Sequence, residues 1–116
     1  MITSHAPKNI ENLSDKIVYM MLENMMEAKF ARKIMNIIAE RNDNDAKTWE
    51  YEPNDRLQYF HMESNFESGI HGYYMLKSLY ESINGEMPKS TVDAIDKSAE
   101  TLAETKLVKF GWKKGE

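Results

Sequence analysis

The sequence contains no cysteine. That single absence excludes a disulfide framework, a cysteine-ligated zinc site and a thiol nucleophile together. Nor is there an apolar run near the roughly 20 residues that cross a bilayer. The opening stretch MITSHAPKNIENL has no basic region followed by an apolar core, so no secretory signal is expected and a cytoplasmic location is the default. Glycine is scarce, with five residues and no phosphate-cradling loop; Gly69 and Gly72 fall inside a helical pattern. No segment alternates long enough to predict a strand.

What is present points to one helical unit. A chain of 116 residues fits a single domain spanning 1–116 and buries roughly two thirds of its extended surface on folding, enough for a core without staples. With 41% hydrophobic and 29% charged residues, the composition is that of a globular protein. The net charge of −4 is unevenly spread. Over residues 40–55, Glu40, Asp43, Asp45, Glu50, Glu52 and Asp55 face Arg41 and Lys47, so the connector at 42–55 is acidic. The tail at 106–116 is basic and aromatic, with Lys106, Lys109, Lys113 and Lys114 around Phe110 and Trp112 and only Glu116 opposing them.

Apolar periodicity predicts an all-α fold of three long helices, at about 14–40, 53–83 and 90–110, in an antiparallel bundle. Ser14 is placed to cap the first helix, which NDND ends. Pro53 suits the first turn of the second, and the Asn84-Gly85 pair stops it. Ser90 and Asp93 have the spacing of a capping box for the third. Short helical additions are expected in APKNIENL and DAKTWEYE.

The first helix is apolar on two sides. Ile17, Met21, Asn24, Ala28, Ala31, Met35 and Ile38 form one seam; Tyr19, Met26, Phe30 and Ile37 form another nearly opposite. A helix apolar on both sides is buried on both sides, which requires either a central position or a partner subunit. Self-association through Tyr19, Met26, Phe30 and Ile37 is the expectation, most simply as a twofold dimer. Ala28 and Ala31, with Gly69 and Gly72 on the second helix, would permit a close crossing, and Asn24 needs a partner for its amide.

The second helix carries a seam at Tyr59, Met62, Phe66, Gly69, Tyr73, Leu76, Tyr80 and Ile83, in strict three-four spacing. Glu63, Glu67 and His71 form a ladder four residues apart that looks like a metal or acid/base site, but at about 100° per residue it points away from that seam. Helical carboxylate centres use inward-facing residues and a Glu-x-x-His motif on two helices, and neither condition is met here. Asp43 and Asp45 begin like a calcium loop, yet Lys47, Thr48 and Asn54 occupy positions needing an oxygen ligand, a glycine and a glutamate. No metal, cofactor or catalytic residue is therefore assigned.

The outward side also holds Phe60, Tyr74 and Met75, and a stripe of this kind along a helix suggests a contact surface. Partner-binding is expected at Phe60, Glu67, His71, Tyr74, Met75, Lys109, Trp112 and Lys113. The tail combines lysines with aromatics, as nucleic-acid-binding segments do, but four lysines without arginine on an acidic chain leave too weak a footprint, and nucleic acid is not expected. The expected function is non-enzymatic binding of a protein partner, as an inhibitor or accessory factor. One alternative is an anionic, nucleotide-like ligand held between subunits by tyrosines, lysines and Arg56. A metal-dependent carboxylate/histidine enzyme is the other.

Overall fold

The computed structural model describes residues 12–43 and 53–111. They form three helices: α1 Leu13–Asp43, α2 Pro53–Asn84 and α3 Lys89–Lys109. No strand occurs among the described residues. The possible short helices before Ser14 and within the connector, together with Trp112, Lys113 and most of the acidic stretch, lie outside them.

Two of the expected caps are replaced by others. Asn12, not Ser14, caps α1: its Oδ1 accepts the Asp15 N–H at 3.1 Å. Ser14 sits inside the helix, where its Oγ accepts from Asn84 Nδ2 at 2.7 Å and ties the start of α1 to the end of α2. The expected capping box on α3 is absent, because Pro88 occupies the cap position without a side-chain hydrogen bond. Its carbonyl accepts from the N–H groups of Thr91 and Val92, and Asp93 pairs with Lys89 at 3.0 Å. Pro53 does open α2, and Gly85 ends it with φ 85°, its N–H donating to the Glu81 carbonyl at 2.9 Å.

The short link at 85–88 is fastened to α2. Glu81 accepts the Met87 N–H at 2.9 Å while pairing with Lys77 at 3.2 Å, and the Met87 side chain is buried. The backbone hydrogen bond first, and Lys77 second, hold the Glu81 carboxyl below the ordinary carboxylate range.

Helix α1 is central. Its first seam packs against α2 in antiparallel register, since Asn24 and Ala28 meet Gly69 while Ser14 meets Asn84. The approach is close enough that a Cβ on Gly69 would lie 2.7 Å from the Asn24 carbonyl oxygen and 3.0 Å from the Ala28 Cβ. Glycine is required there by space. Asn24 satisfies its amide on its own helix, donating to the Met20 carbonyl at 2.9 Å, and its Oδ1 lies over Gly72. Beside this crossing the Arg32 guanidinium stacks 4.3 Å above the Phe66 ring.

The other side of α1 is covered by α3, which contributes buried Ile95, Ala99 and Ala103. Met26, Phe30 and Ile37 are buried within the chain. Phe110 meets Phe30 edge-on, with centroids 6.1 Å apart, and Lys106 Nζ lies 4.4 Å above the Phe30 ring. These residues thus form the docking face for α3, and their apolar character has an intramolecular cause. Tyr19 is half-buried and donates its hydroxyl to Glu23 at 3.0 Å; burial, then this hydrogen bond and the Glu23 charge, push its phenol up to about 12.

Ion pairs border the α1–α3 contact. Lys29 meets Asp96 at 3.0 Å and Glu100 at 3.4 Å, Lys33 also pairs with Glu100, and Lys106 meets Glu27 at 2.9 Å. The hydrogen bond from Lys33 does most to lower the Glu100 carboxyl, against an opposing burial effect. For Lys29, burial pulls the amine down, but the bonds and charges of Asp96 and Glu100 outweigh it and leave it raised.

Among the described residues no Cα of α2 lies within 8 Å of a Cα of α3. Helix α2 therefore packs chiefly on α1, with Gly69 and Tyr73 as its buried positions, while Tyr59, Met62, Phe66, Leu76 and Tyr80 are half-buried along the same seam. Ile83, assigned by period to that seam, is instead exposed; at about 100° per residue it lies about 80° round from Tyr73. No described helix is long and apolar enough to cross a membrane.

Candidate interaction surface on the second helix

Helix α2, of 32 residues, packs chiefly on one side, and more than half of its described side chains are exposed. Its outer side is unusually apolar. Leu57 is 70% exposed, Phe60 57%, Tyr74 58%, Met75 61% and Leu79 46%. They fall in two groups on the side away from Tyr73, Leu57 with Phe60 near the start of the helix and Tyr74, Met75 and Leu79 toward its end, which is the geometry of an amphipathic helix facing two environments. Isolated exposed apolar residues are common on any protein, whereas groups of them aligned on one helix face are not.

The polar residues between them are small or charged. Ser64, Ser68, Ser78 and Ser82 are exposed on this face, and so are Glu67 and His71. The helical backbone thus sets apolar side chains toward both ends and an acid and an imidazole near the middle. Two of the aromatic side chains are braced from beneath: the Phe60 ring meets Tyr59 edge-on at 6.4 Å, and Tyr74 meets Tyr73 at 5.0 Å. Tyr73 itself is in the core, and burial, ahead of its charged and phenolic neighbours, pushes its hydroxyl up.

Of the residues expected to bind a partner, the structure brings Phe60, Glu67, His71, Tyr74 and Met75 together on this face. Lys109 is exposed at the end of α3, on a separate surface. Trp112 and Lys113 lie outside the described residues. Leu57 and Leu79 belong to the stripe but were not singled out from sequence; their three-four spacing from Phe60 and Met75 is the signal that could have found them.

The chemistry available elsewhere is limited. Among the described residues no three His, Asp or Glu side chains gather closely enough to hold a metal ion. The depression between α1 and the end of α3, about 290 Å³ and lined in part by Glu23, Glu27, Lys106, Lys109 and Phe110, has Lys106 engaged by both Glu27 oxygens.

No known protein family, curated protein or solved structure matches this chain.

Proposed function

We propose that this protein works by binding a protein partner and not by catalysis, and that the outward face of α2 is the binding surface. The observation carrying this reading is the stripe Leu57, Phe60, Tyr74, Met75 and Leu79, which no other described helix covers. Each of the five is already partly covered. Burying what remains exposed, at about half of the roughly 1.5–3 kcal/mol for full transfer of a side chain, gives a driving force of the same order as the cost of association, which suits a specific and reversible contact. The aromatic members, set on a rigid helix, lose little freedom when bound. A cytoplasmic accessory or inhibitory protein that occupies a surface of its target fits these features.

The test is a comparison of wild type with Phe60→Ala combined with Tyr74→Ala, each purified from the native cell and examined by native mass spectrometry. Loss of co-purifying protein or of self-assembly, with helicity unchanged, is the expected result. Identical assembly states and identical bound species in the two samples would remove α2 from consideration.

A further inference from the structure

We infer that the protein seated on the α2 face is a second copy of this chain, packed antiparallel across a twofold axis that passes between Glu67 and His71. This rests on the reading of α2 as a protein-binding surface and assigns its occupant. The face is self-complementary in size and in charge, through residues that are all exposed in the single chain.

Size comes first. In helix pairs a side chain enters a hole made by four residues of the facing helix, at relative positions 0, 3, 4 and 7. On α2 the residues Met75, Ser78, Leu79 and Ser82 form such a hole, with two serines as a shallow floor and two apolar side chains as walls. Phe60 is the large side chain that fits it. With the axis between Glu67 and His71, Phe60 of one copy meets that hole in the other, and the symmetry repeats the contact at the far end. The same register brings Tyr74 level with Ser64 of the other copy, a large side chain beside a small one.

Charge then selects the orientation. Antiparallel packing places Glu67 of each copy against His71 of the other, making two equivalent contacts about the axis. Parallel, in-register packing would set Glu67 against Glu67, His71 against His71 and serine against serine, uniting like groups and leaving voids where large side chains are needed. The antiparallel arrangement is also isologous and closes on itself, so it predicts a dimer and not a filament. From Leu57 to Ser82 the seam runs about 38 Å at 1.5 Å per residue. A single helix pair belongs among small, transient interfaces, so dissociation on dilution is expected.

The absence of native cysteine provides a direct test. Two variants of the full chain, Ser64→Cys and Met75→Cys, are mixed in equal amounts and oxidised under native conditions. The antiparallel register brings Ser64 opposite Met75 of the other copy, within reach of a disulfide, so the mixed species should dominate over either homodisulfide. In parallel, light scattering across a dilution series should give a dimer that Glu67→Lys weakens by about tenfold, the equivalent of about 1.4 kcal/mol, and that adding His71→Glu restores. Rescue by the charge swap is a result that a general loss of folding cannot produce. A statistical mixture of disulfides, or dimerisation indifferent to Glu67→Lys, overturns the inference. Should the chain stay monomeric at submillimolar concentration while Phe60→Ala with Tyr74→Ala abolishes binding of another protein, the inference fails and the protein-binding reading stands. If the chain is monomeric and those alanines change no binding, both fail.

Discussion

The backbone oxygen of Asn24 lies 2.7 Å from where a Cβ on Gly69 would stand. Helices α1 and α2 therefore touch through their main chains, and the glycine is a spacing element between them. Alanine is the better helix former by about 1 kcal/mol, so the sign of Gly69→Ala is decided by which effect wins. Here the obstacle is backbone, which yields only if α2 moves away from α1 and loosens Tyr73 and its half-buried neighbours. The expected outcome is a net loss of about 1–3 kcal/mol, as for overpacked cores, read as a lowered denaturation midpoint.

Gly72 offers the internal control. A Cβ there meets the Asn24 side chain, at 2.6 Å from Oδ1, and a side chain can rotate. Gly72→Ala should therefore cost less than Gly69→Ala, and Asn24→Ala should relieve what cost remains. Thermal melts of the two single variants and the Asn24→Ala/Gly72→Ala double would check this order; additive behaviour of the pair would contradict it.

The three helices were legible because their apolar periods are long: the expected 14–40, 53–83 and 90–110 became 13–43, 53–84 and 89–109. The close crossing was legible too, since small residues recurred on both facing seams. The ends of α2 at Pro53 and Gly85 were legible as well, but the caps of α1 and α3 were not, because Ser14 and Asp93 have the right chemistry but spend it on Asn84 and Lys89. The role of Phe30 was also hidden. A period says which faces of a helix are apolar; it does not say whether another helix or another subunit covers them. For the candidate surface the same limit applied in reverse, since only the placement of α3 against α1, away from α2, leaves Phe60 and Tyr74 uncovered.

Acid should loosen the α1–α3 contact. Glu100 has a carboxyl lowered by Lys33, then by Lys29, so its contribution is complete above the ordinary carboxylate range and is lost as pH falls through its lowered folded value. The Glu100 side chain is 41% exposed, which limits the effect; about 0.5–1 kcal/mol at neutral pH is expected for Glu100→Gln. Urea titrations at several pH values should find that the variant and wild type converge as the carboxylates protonate.

At the alkaline end the sign reverses. Tyr19 is held protonated, with its phenol raised to about 12 beside Glu23. A raised folded value means that its stabilisation is full below the ordinary tyrosine value near 10 and fades as pH climbs toward 12. Tyr19→Phe should flatten the stability profile in that window and lower the neutral-pH midpoint by no more than one lost hydrogen bond, about 0.5–1.5 kcal/mol. Equal alkaline slopes in the two proteins would count against this reading.

Phe30 separates the covered seam of α1 from the open face of α2. Its ring is buried under Lys106 and against the edge of Phe110. Phe30→Ala should therefore behave as a core truncation, costing about 3–5 kcal/mol, a large part of the 5–15 kcal/mol that holds an ordinary domain together. Phe60→Ala removes an equally large ring from a position exposed in the single chain and should shift the unfolding midpoint of dilute protein little. Chemical denaturation of both variants well below the concentration at which copies associate makes the comparison. A mild Phe30→Ala would mean that α3 does not hold that seam, and a severe Phe60→Ala would mean that the α2 stripe is packed within the chain.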